Sequence, residues 1–198
     1  MDSLTYRHFL QAAFQEQRTY AETLLRRPSE EQLRWRPNDE SWCMAQIVEH
    51  MRILNDNYLK AAAEVIRGRR PREPEDQEYS PNRVGQRFIE AVGPDGNFSM
   101  PVPKKFEPHM KSLPRNVTTL FLDQLAGVDV IITESIGADL MKTKVRSPVS
   151  RLLRFQLGDV FKIILVHNDR HLRQIDRLQR ISGYPLNVVA TAPRASVT

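Results

Sequence analysis

The sequence predicts an all-α protein, a four-helix bundle with a long proline-rich irregular segment between its second and third helices. Two observations predict this fold class. Apolar residues recur at the three- and four-residue spacing of one helix face, and proline is excluded from four long stretches. Proline lacks a backbone N–H and clashes with the preceding turn, so helix interiors exclude it. The proline-free stretches are residues 1–27, 38–70, 115–147 and 149–184, whereas eight of the 13 prolines fall between Pro71 and Pro114.

The first predicted helix begins at about Ser3 and ends at about Arg26, just before Pro28. Cationic residues in the last turn followed by proline are typical of a helix end. The connector that follows contains Trp35, which we expect to pack over one end of the bundle. The apolar stripe of this helix consists of Leu10, Phe14, Ala21, Leu24 and Leu25.

The second predicted helix opens near Asp39 or Ser41, since both are favourable N-cap residues. It extends to about Arg67, and Gly68 suits a left-handed cap after it. Cys43 falls in the first turn. Because no basic residue stands near it in the sequence, we interpret it as a packed structural cysteine.

Residues 71–113 are the least helical part of the chain. The segment is too long for a simple connector, so we expect it to pack over the surface or to line a site. A short helix is predicted at 82–92, and the run from Phe98 to His109 should be extended because residues before proline avoid the α region. His109 is a candidate fourth metal ligand, but a histidine in a loop is more often simply exposed.

The third predicted helix starts at Pro114 or Asn116 and ends near residues 137–140. Gly127 lies in its interior, where glycine costs roughly 1 kcal/mol of helix propensity relative to alanine. We therefore expect a close helix–helix approach at that point. No metal ligand is expected on the apolar stripe of this helix.

The fourth predicted helix begins near residues 157–159 and ends at about Ser182, with Gly183 as its C′ residue. Residues 1–185 are therefore predicted to form a single domain. The remaining residues, 186–198, are predicted to be a C-terminal tail.

Two histidines of the fourth predicted helix, His167 and His171, lie one turn apart on its apolar stripe. Such a pair can bind one metal ion, and His50 on the apolar stripe of the second helix is the candidate third ligand. A histidine pair alone is a weak signal, since a single histidine on an apolar face is more often a hydrogen-bonded core residue. Three buried imidazoles without partners would be costly, which favours a shared metal. No general base can be named, because Glu49 and Asp169 neighbour ligands and point about 100° away from them.

Charge and composition favour a cytoplasmic protein. The net charge is +5, and the basic residues gather at 67–70 and on one face of the fourth helix. We interpret them as solvated surfaces rather than a nucleic-acid footprint, which would add exposed aromatic residues or a reading helix. No signal peptide or membrane-spanning run is predicted. The single cysteine excludes an intramolecular disulfide and fits a reducing compartment.

Four short motifs match a known family in combination. They lie in the first connector, at the start of the second helix, further along that helix and in the fourth helix. They read Trp35-x-Pro37, Ser41-Trp42, Ile47-Val48-Glu49-His50 and His167-x-x-Arg170-His171-x-x-Gln174-Ile175. Together with the helical layout and the proline-rich segment, they make nearly the whole chain resemble the DinB-like superfamily. This damage-inducible family is also called the YfiT-like metal-dependent hydrolases.

That resemblance implies an up-down-down-up bundle with a divalent metal, often nickel or zinc, at one end. The ligands it implies are His50, His167 and His171, and all three positions are filled here. Cys43 departs from the family pattern, since members commonly have serine after the tryptophan. Members are often homodimers, and we expect a homodimer here. Arg170 and Gln174 are expected to orient groups that surround the ligands, or the substrate.

The resemblance also implies an activity, because the family includes thiol S-transferases that use bacillithiol or mycothiol, and mycothiol-dependent isomerases. Three neutral imidazoles leave coordination positions open, as is typical of a catalytic metal. We expect a metal-dependent S-transferase or hydrolase acting on a small molecule, with a low-molecular-weight thiol as a possible cofactor. An alternative is a non-catalytic, stress-associated protein whose metal only joins the second and fourth helices. A third hypothesis is a nucleic-acid binder that uses residues 67–72.

Overall fold

The fold is described by a computed structural model that covers residues 1–68, 71–72, 78–96, 102–150 and 152–186. The predicted tail beyond residue 186, part of the basic loop at 67–70 and the start of the run from Phe98 lie outside these residues. Helices dominate, and the only strands in the described part of the chain are two short ones. The elements are α1 (Ser3–Leu24), α2 (Glu30–Arg34), α3 (Met44–Arg67), α4 (Arg83–Val92), α5 (Val117–Glu134), β1 (Lys144–Arg146), β2 (Arg154–Gln156) and α6 (Leu157–Gln179).

The four long helices, α1, α3, α5 and α6, form the predicted bundle. Helix α5 packs between α1 and α3 on one side, and α6 packs between them on the other. Hydrogen bonds give the directions of the helices. Gln11 near the start of α1 reaches Asp129 near the end of α5, whereas Gln179 at the end of α6 donates to Leu24 at the end of α1. Helices α1 and α6 therefore run one way and α5 runs the other.

Helix α3 runs parallel to α5, which completes the up-down-down-up arrangement. Gln124 donates to the carbonyl of Arg52, and Arg67 at the end of α3 pairs with Glu134 at the end of α5. The core between the four helices is apolar and closed to solvent. Its largest fully buried apolar side chains include Tyr58, Phe106, Phe121, Phe155, Phe161, Leu10, Met44 and Ile47.

Helix α3 begins at Met44, later than either predicted cap. Its N-cap is Cys43, whose backbone N–H donates to the side-chain oxygen of Gln46 at 3.2 Å. The predicted caps Asp39 and Ser41 instead lie in the turn before the helix. Cys43 is fully buried with its Sγ 3.7 Å from Met110 Sδ, so it is a packed residue as predicted.

Three glycine predictions require correction. Gly68 has φ −79° and ψ −168°, which is extended backbone rather than a left-handed cap. A Cβ built at Gly127 would meet nothing within 4 Å, so this glycine faces open space and marks no close helix approach. Gly183 does adopt φ +90°, but α6 ends at Gln179, so the glycine lies in the turn beyond the helix end rather than at C′.

The segment between α3 and α5 contains the predicted short helix, α4, which packs against α6 outside the bundle. Further along the same segment, residues 102–106 approach α3, and Lys104–Phe106 form a 3₁₀ turn there. Trp35, in the first connector, packs edge-on against Tyr184 beyond the end of α6, with ring centroids 5.4 Å apart. An antiparallel hairpin of β1 and β2, which sequence patterns did not predict, joins α5 to α6.

Candidate metal centre

Three histidines from two helices converge at one point inside the protein. His50 projects from α3, and His167 and His171 project from α6. The Nε2 atom of His167 lies 3.3 Å from Nε2 of His50 and 3.2 Å from Nε2 of His171. All three offer a ring nitrogen within 4.8 Å of the others, and they are the only such group of metal-binding side chains among the described residues.

The spacing of these nitrogens fits a tetrahedral metal site. Zinc binds histidine nitrogen at about 2.0–2.1 Å, so two nitrogens at a tetrahedral angle lie roughly 3.3–3.4 Å apart. The observed separations of 3.2 and 3.3 Å are close to this value. A cation shared by these rings would therefore fit the separations of His167 from both His50 and His171.

Hydrogen bonds on the far side of two rings fix their tautomers. His50 Nδ1 lies 3.0 Å from the carbonyl oxygen of Phe106, and His171 Nδ1 lies 2.8 Å from Oε1 of Gln174. Both oxygens accept, so both Nδ1 atoms carry the proton and donate it. The Nε2 lone pairs of His50 and His171 then point at the shared centre, which is the arrangement of a ligand oriented by its neighbours.

The third ring shows why the cluster suits a cation. Two bare lone pairs, on His50 and His171, already face His167, whose buried Nδ1 has no hydrogen-bond partner among the residues that the structure describes. The neutral ring of His167 carries one proton. On Nε2 that proton is shared between the two lone pairs, and on Nδ1 it leaves a third lone pair at the centre. A cation accepts all three lone pairs at once.

Burial lowers the pKa of all three imidazoles. His50 and His167 are only 5% and 8% exposed. Desolvation is the main cause for each, and the neighbouring imidazoles further depress the pKa of His167 and His171. The pKa of His171 falls to about 3. The rings are therefore neutral at physiological pH, which is the form that binds metal.

A cavity of about 210 Å³ opens on one side of the three histidines. The proline-rich segment supplies much of its wall, so it lines a site, one of the two roles that the sequence suggested. The bundle supplies the remainder. The lining residues besides the histidines are Leu54, Tyr58, Phe88, Ala91, Val92, Val102, Pro103, Phe106, Val149, Ile163 and Arg170.

Four further residues were candidates for a role at this site, and their contacts distinguish them. Glu49 pairs with Arg52, and Asp169 accepts from Gln17, so both carboxylates are engaged away from the three rings, as their helix positions predicted. His109 is exposed and lies outside the cluster. Gln174 does orient a ligand, since it accepts from His171.

Comparison with known proteins identifies the family. A sequence model of the DinB superfamily matches residues 13–175, which include all three histidines. The chain belongs to the DinB superfamily. Separate comparisons with curated proteins and with solved structures gave no match to this DinB chain. None of its described helices has the length and apolar character needed to span a membrane.

Two features of the DinB site had no signal in the sequence. The carbonyl of Phe106 orients His50, and a backbone acceptor in a loop has no residue signature. Trp42 packs its ring against His50, with centroids 5.0 Å apart, whereas the motif Ser41-Trp42 gave no sign that the ring would lie beside a ligand. The homodimer, the cytoplasmic location and the absence of nucleic-acid binding stay predictions.

Proposed function

We propose that this protein is a metal-dependent enzyme that binds a divalent zinc or nickel ion through His50, His167 and His171. The reaction class we propose is transfer to a low-molecular-weight thiol or hydrolysis of a small molecule. One observation carries the proposal: three neutral imidazoles, two of them oriented by hydrogen bonds, stand at the wall of a cavity. A structural metal site is instead closed by a fourth protein ligand, and no further histidine, cysteine or carboxylate joins this group in the described part of the chain.

The chemistry follows from the donor set and the cavity. A divalent metal bound by three neutral histidines retains its full charge and, when bound, supplies a Lewis acid that lowers the pKa of a coordinated water or thiol. Around it, Phe106 and Gln174 keep His50 and His171 in the tautomer that presents Nε2. Apolar side chains such as Leu54 and Ile163 limit water near the reacting groups, which strengthens electrostatic interactions there.

Tyr58 lines the cavity and carries a neutral hydroxyl group. This hydroxyl lies 3.3 Å from Oγ of Ser147, and burial raises the pKa of Tyr58 to about 12. The tyrosine therefore keeps its proton at neutral pH and can donate a hydrogen bond to a substrate oxygen in the cavity. It is poorly suited to act as a general base.

Metal content of purified protein tests the ligand assignment. The protein is prepared without a polyhistidine tag and analysed by inductively coupled plasma mass spectrometry, beside the variants His171→Ala and His109→Ala. We expect about one metal per chain in the parent and in His109→Ala, and essentially none in His171→Ala. His109 is a suitable control because its side chain is exposed outside the cluster. Full metal occupancy in folded His171→Ala protein would refute the assignment.

Activity is tested separately with the metal-loaded protein. Low-molecular-weight thiols are combined with small electrophiles, and a parallel series of esters and amides reports hydrolysis. We expect turnover in one series that disappears in His171→Ala and persists in His109→Ala. Metal binding without turnover in either series would favour the alternative, in which the ion only joins α3 to α6. That outcome should coincide with a metal that exchanges no water, whereas the open cavity favours an exchangeable one.

A further inference from the structure

The cavity beside the histidines has an unbalanced charge. Its described lining contains one cationic side chain, Arg170, and no carboxylate. The three imidazoles are neutral, so they do not offset the guanidinium charge. A divalent ion in the proposed site would add further positive charge to the same wall. Such a cavity favours an anionic guest, because an apolar wall with a low dielectric strengthens attraction between opposite charges.

Arg170 is held in place by neutral groups. Its Nη1 donates to the carbonyl oxygens of Ala91, Gly93 and Gly96 at 3.4, 3.2 and 2.8 Å, which are carbonyls at and beyond the end of α4. These contacts fix the guanidinium without neutralising it. Its remaining N–H groups make no hydrogen bond to any residue that the structure describes. A fixed guanidinium with free N–H groups is well suited to bind a carboxylate through two parallel hydrogen bonds.

Apart from the Tyr58 hydroxyl, the remainder of the lining is apolar, and the cavity is small. Phe88, Val92, Val102 and Ile163 are representative, and the cavity measures about 210 Å³. A cavity of roughly 150 Å³ in another protein accommodates benzene. The space here therefore fits a body of benzene size together with a short acidic arm. The bulky body of a large thiol cofactor would have to stay outside it.

We propose that the substrate is a small apolar carboxylic acid whose carboxylate binds Arg170 while its apolar body fills the cavity beside the three histidines. This inference rests on the proposed function, because the acid would be the substrate of the same site. Its test measures binding rather than turnover, so it fails or succeeds independently of the proposed reaction.

Isothermal titration calorimetry with phenylacetate and its neutral analogue phenylacetamide tests the proposal, using protein as purified and protein freed of metal by a chelator. We expect phenylacetate to bind at least roughly tenfold more tightly than phenylacetamide in both preparations, since a desolvated charge pair contributes more than 1.4 kcal/mol. Equal affinity for the two compounds, or no binding of phenylacetate at millimolar concentration, would overturn it. A preference that vanishes with the metal would assign the carboxylate to the metal instead.

Variants of Arg170 test whether its guanidinium is the group that binds the carboxylate. Arg170→Gln should weaken phenylacetate binding by roughly tenfold and leave phenylacetamide binding unchanged, whereas Arg170→Lys should retain part of the preference. Arg173→Gln removes the same charge one turn along α6, outside the cavity lining, and should alter neither affinity. Thermal unfolding of each variant checks that α4 stays docked. An unchanged preference in folded Arg170→Gln would refute the role of Arg170.

Discussion

Two of the buried polar clusters on helix α6 differ in one physical respect. At its start, fully buried Asp159 accepts from the hydroxyl of Tyr79 at 2.5 Å and from the backbone N–H of Gln156 at 3.3 Å. Further along, the Nε2 atoms of His50, His167 and His171 converge, and the three rings bring at least two lone pairs and at most one proton to that point. Protein donors satisfy the first cluster, whereas the second is compatible with a cation that would accept its lone pairs. Burial alone therefore does not mark a functional site, but an unmet set of converging acceptors does.

The two clusters also differ in the direction in which burial shifts their pKa values. Burial raises the pKa of Asp159, with the hydrogen bond from Tyr79 opposing the rise, whereas burial lowers the pKa of the three histidines. Desolvation disfavours the charged form of each. Tyr79 also stacks on Tyr6, with ring centroids 4.0 Å apart, so the first cluster fastens residues 78–80 over the start of α6. It contributes to stability and has no part in the proposed chemistry.

The largest expected difference between the two clusters is in their contribution to stabilisation by metal. Zinc or nickel at roughly a thousandfold excess over its dissociation constant should stabilise the native protein by about 4 kcal/mol, since it binds the folded state alone. Chemical denaturation with and without metal measures this difference. The variant His171→Ala should lose the gain, and a variant of the first cluster, Tyr79→Phe, should keep it. A full gain in stability in His171→Ala would show that the added metal does not stabilise the protein through the histidine cluster.

The metal-free protein should lose stability in mild acid. The folded-state pKa values of His50, His167 and His171 lie below the unfolded value of 6.5. The unfolded chain therefore binds more protons below that pH, and unfolding is favoured as the pH falls from 6.5 toward the lowered values. Going from about pH 6.5 to about pH 5.5 should cost roughly 1 kcal/mol for His171, whose folded-state pKa is about 3, and the lowered pKa values of His167 and His50 should add to this loss.

Denaturation midpoints across this range provide the measurement for the metal-free protein. His171→Ala removes one of the three contributions and should flatten the profile. His109→Ala, which alters an exposed ring outside the cluster, should leave it unchanged. A flat profile for the parent protein would mean that the three rings are accessible to protons in the folded state.

Removal of one hydroxyl from the first cluster should have a smaller effect. Tyr79→Phe keeps the stacked ring but deletes the donor to Asp159, so a buried carboxyl group loses a partner. The free energy of unfolding should fall by about 1–3 kcal/mol, the usual cost of an unsatisfied buried group. Metal content should not change. Loss of metal in this variant would show that the two clusters of α6 are coupled.

The sequence was sufficient for the fold class and for the meeting of the three histidines. Helical periodicity places His50 and His167 on apolar stripes, and stripes from different helices must meet in a core. The start of α3 was not predictable, because Asp39 and Ser41 are better caps by propensity than Cys43. The cap at Cys43 forms through a side-chain contact with Gln46 that propensity does not include.

Other features depend on tertiary context. An interior glycine has the same appearance in a sequence whether it touches a neighbouring helix or faces solvent, which is why Gly127 was misassigned. The hairpin of β1 and β2 has three residues in each strand, too few for an alternating pattern to stand out. Arg170 matched a family motif, but its three carbonyl partners come from residues about 75 positions earlier in the chain.

The wall of the cavity and the histidines come from different parts of the architecture. The imidazoles project from bundle helices, whereas Phe88 and Val102 belong to a segment laid over the outside and fastened through Arg170. Changes at those wall positions can reshape the enclosed space while the helices that present the nitrogen donors keep their packing. One unaltered scaffold can thus be adapted to different ligands through wall positions of the covering segment other than Phe106, whose side chain lies in the core.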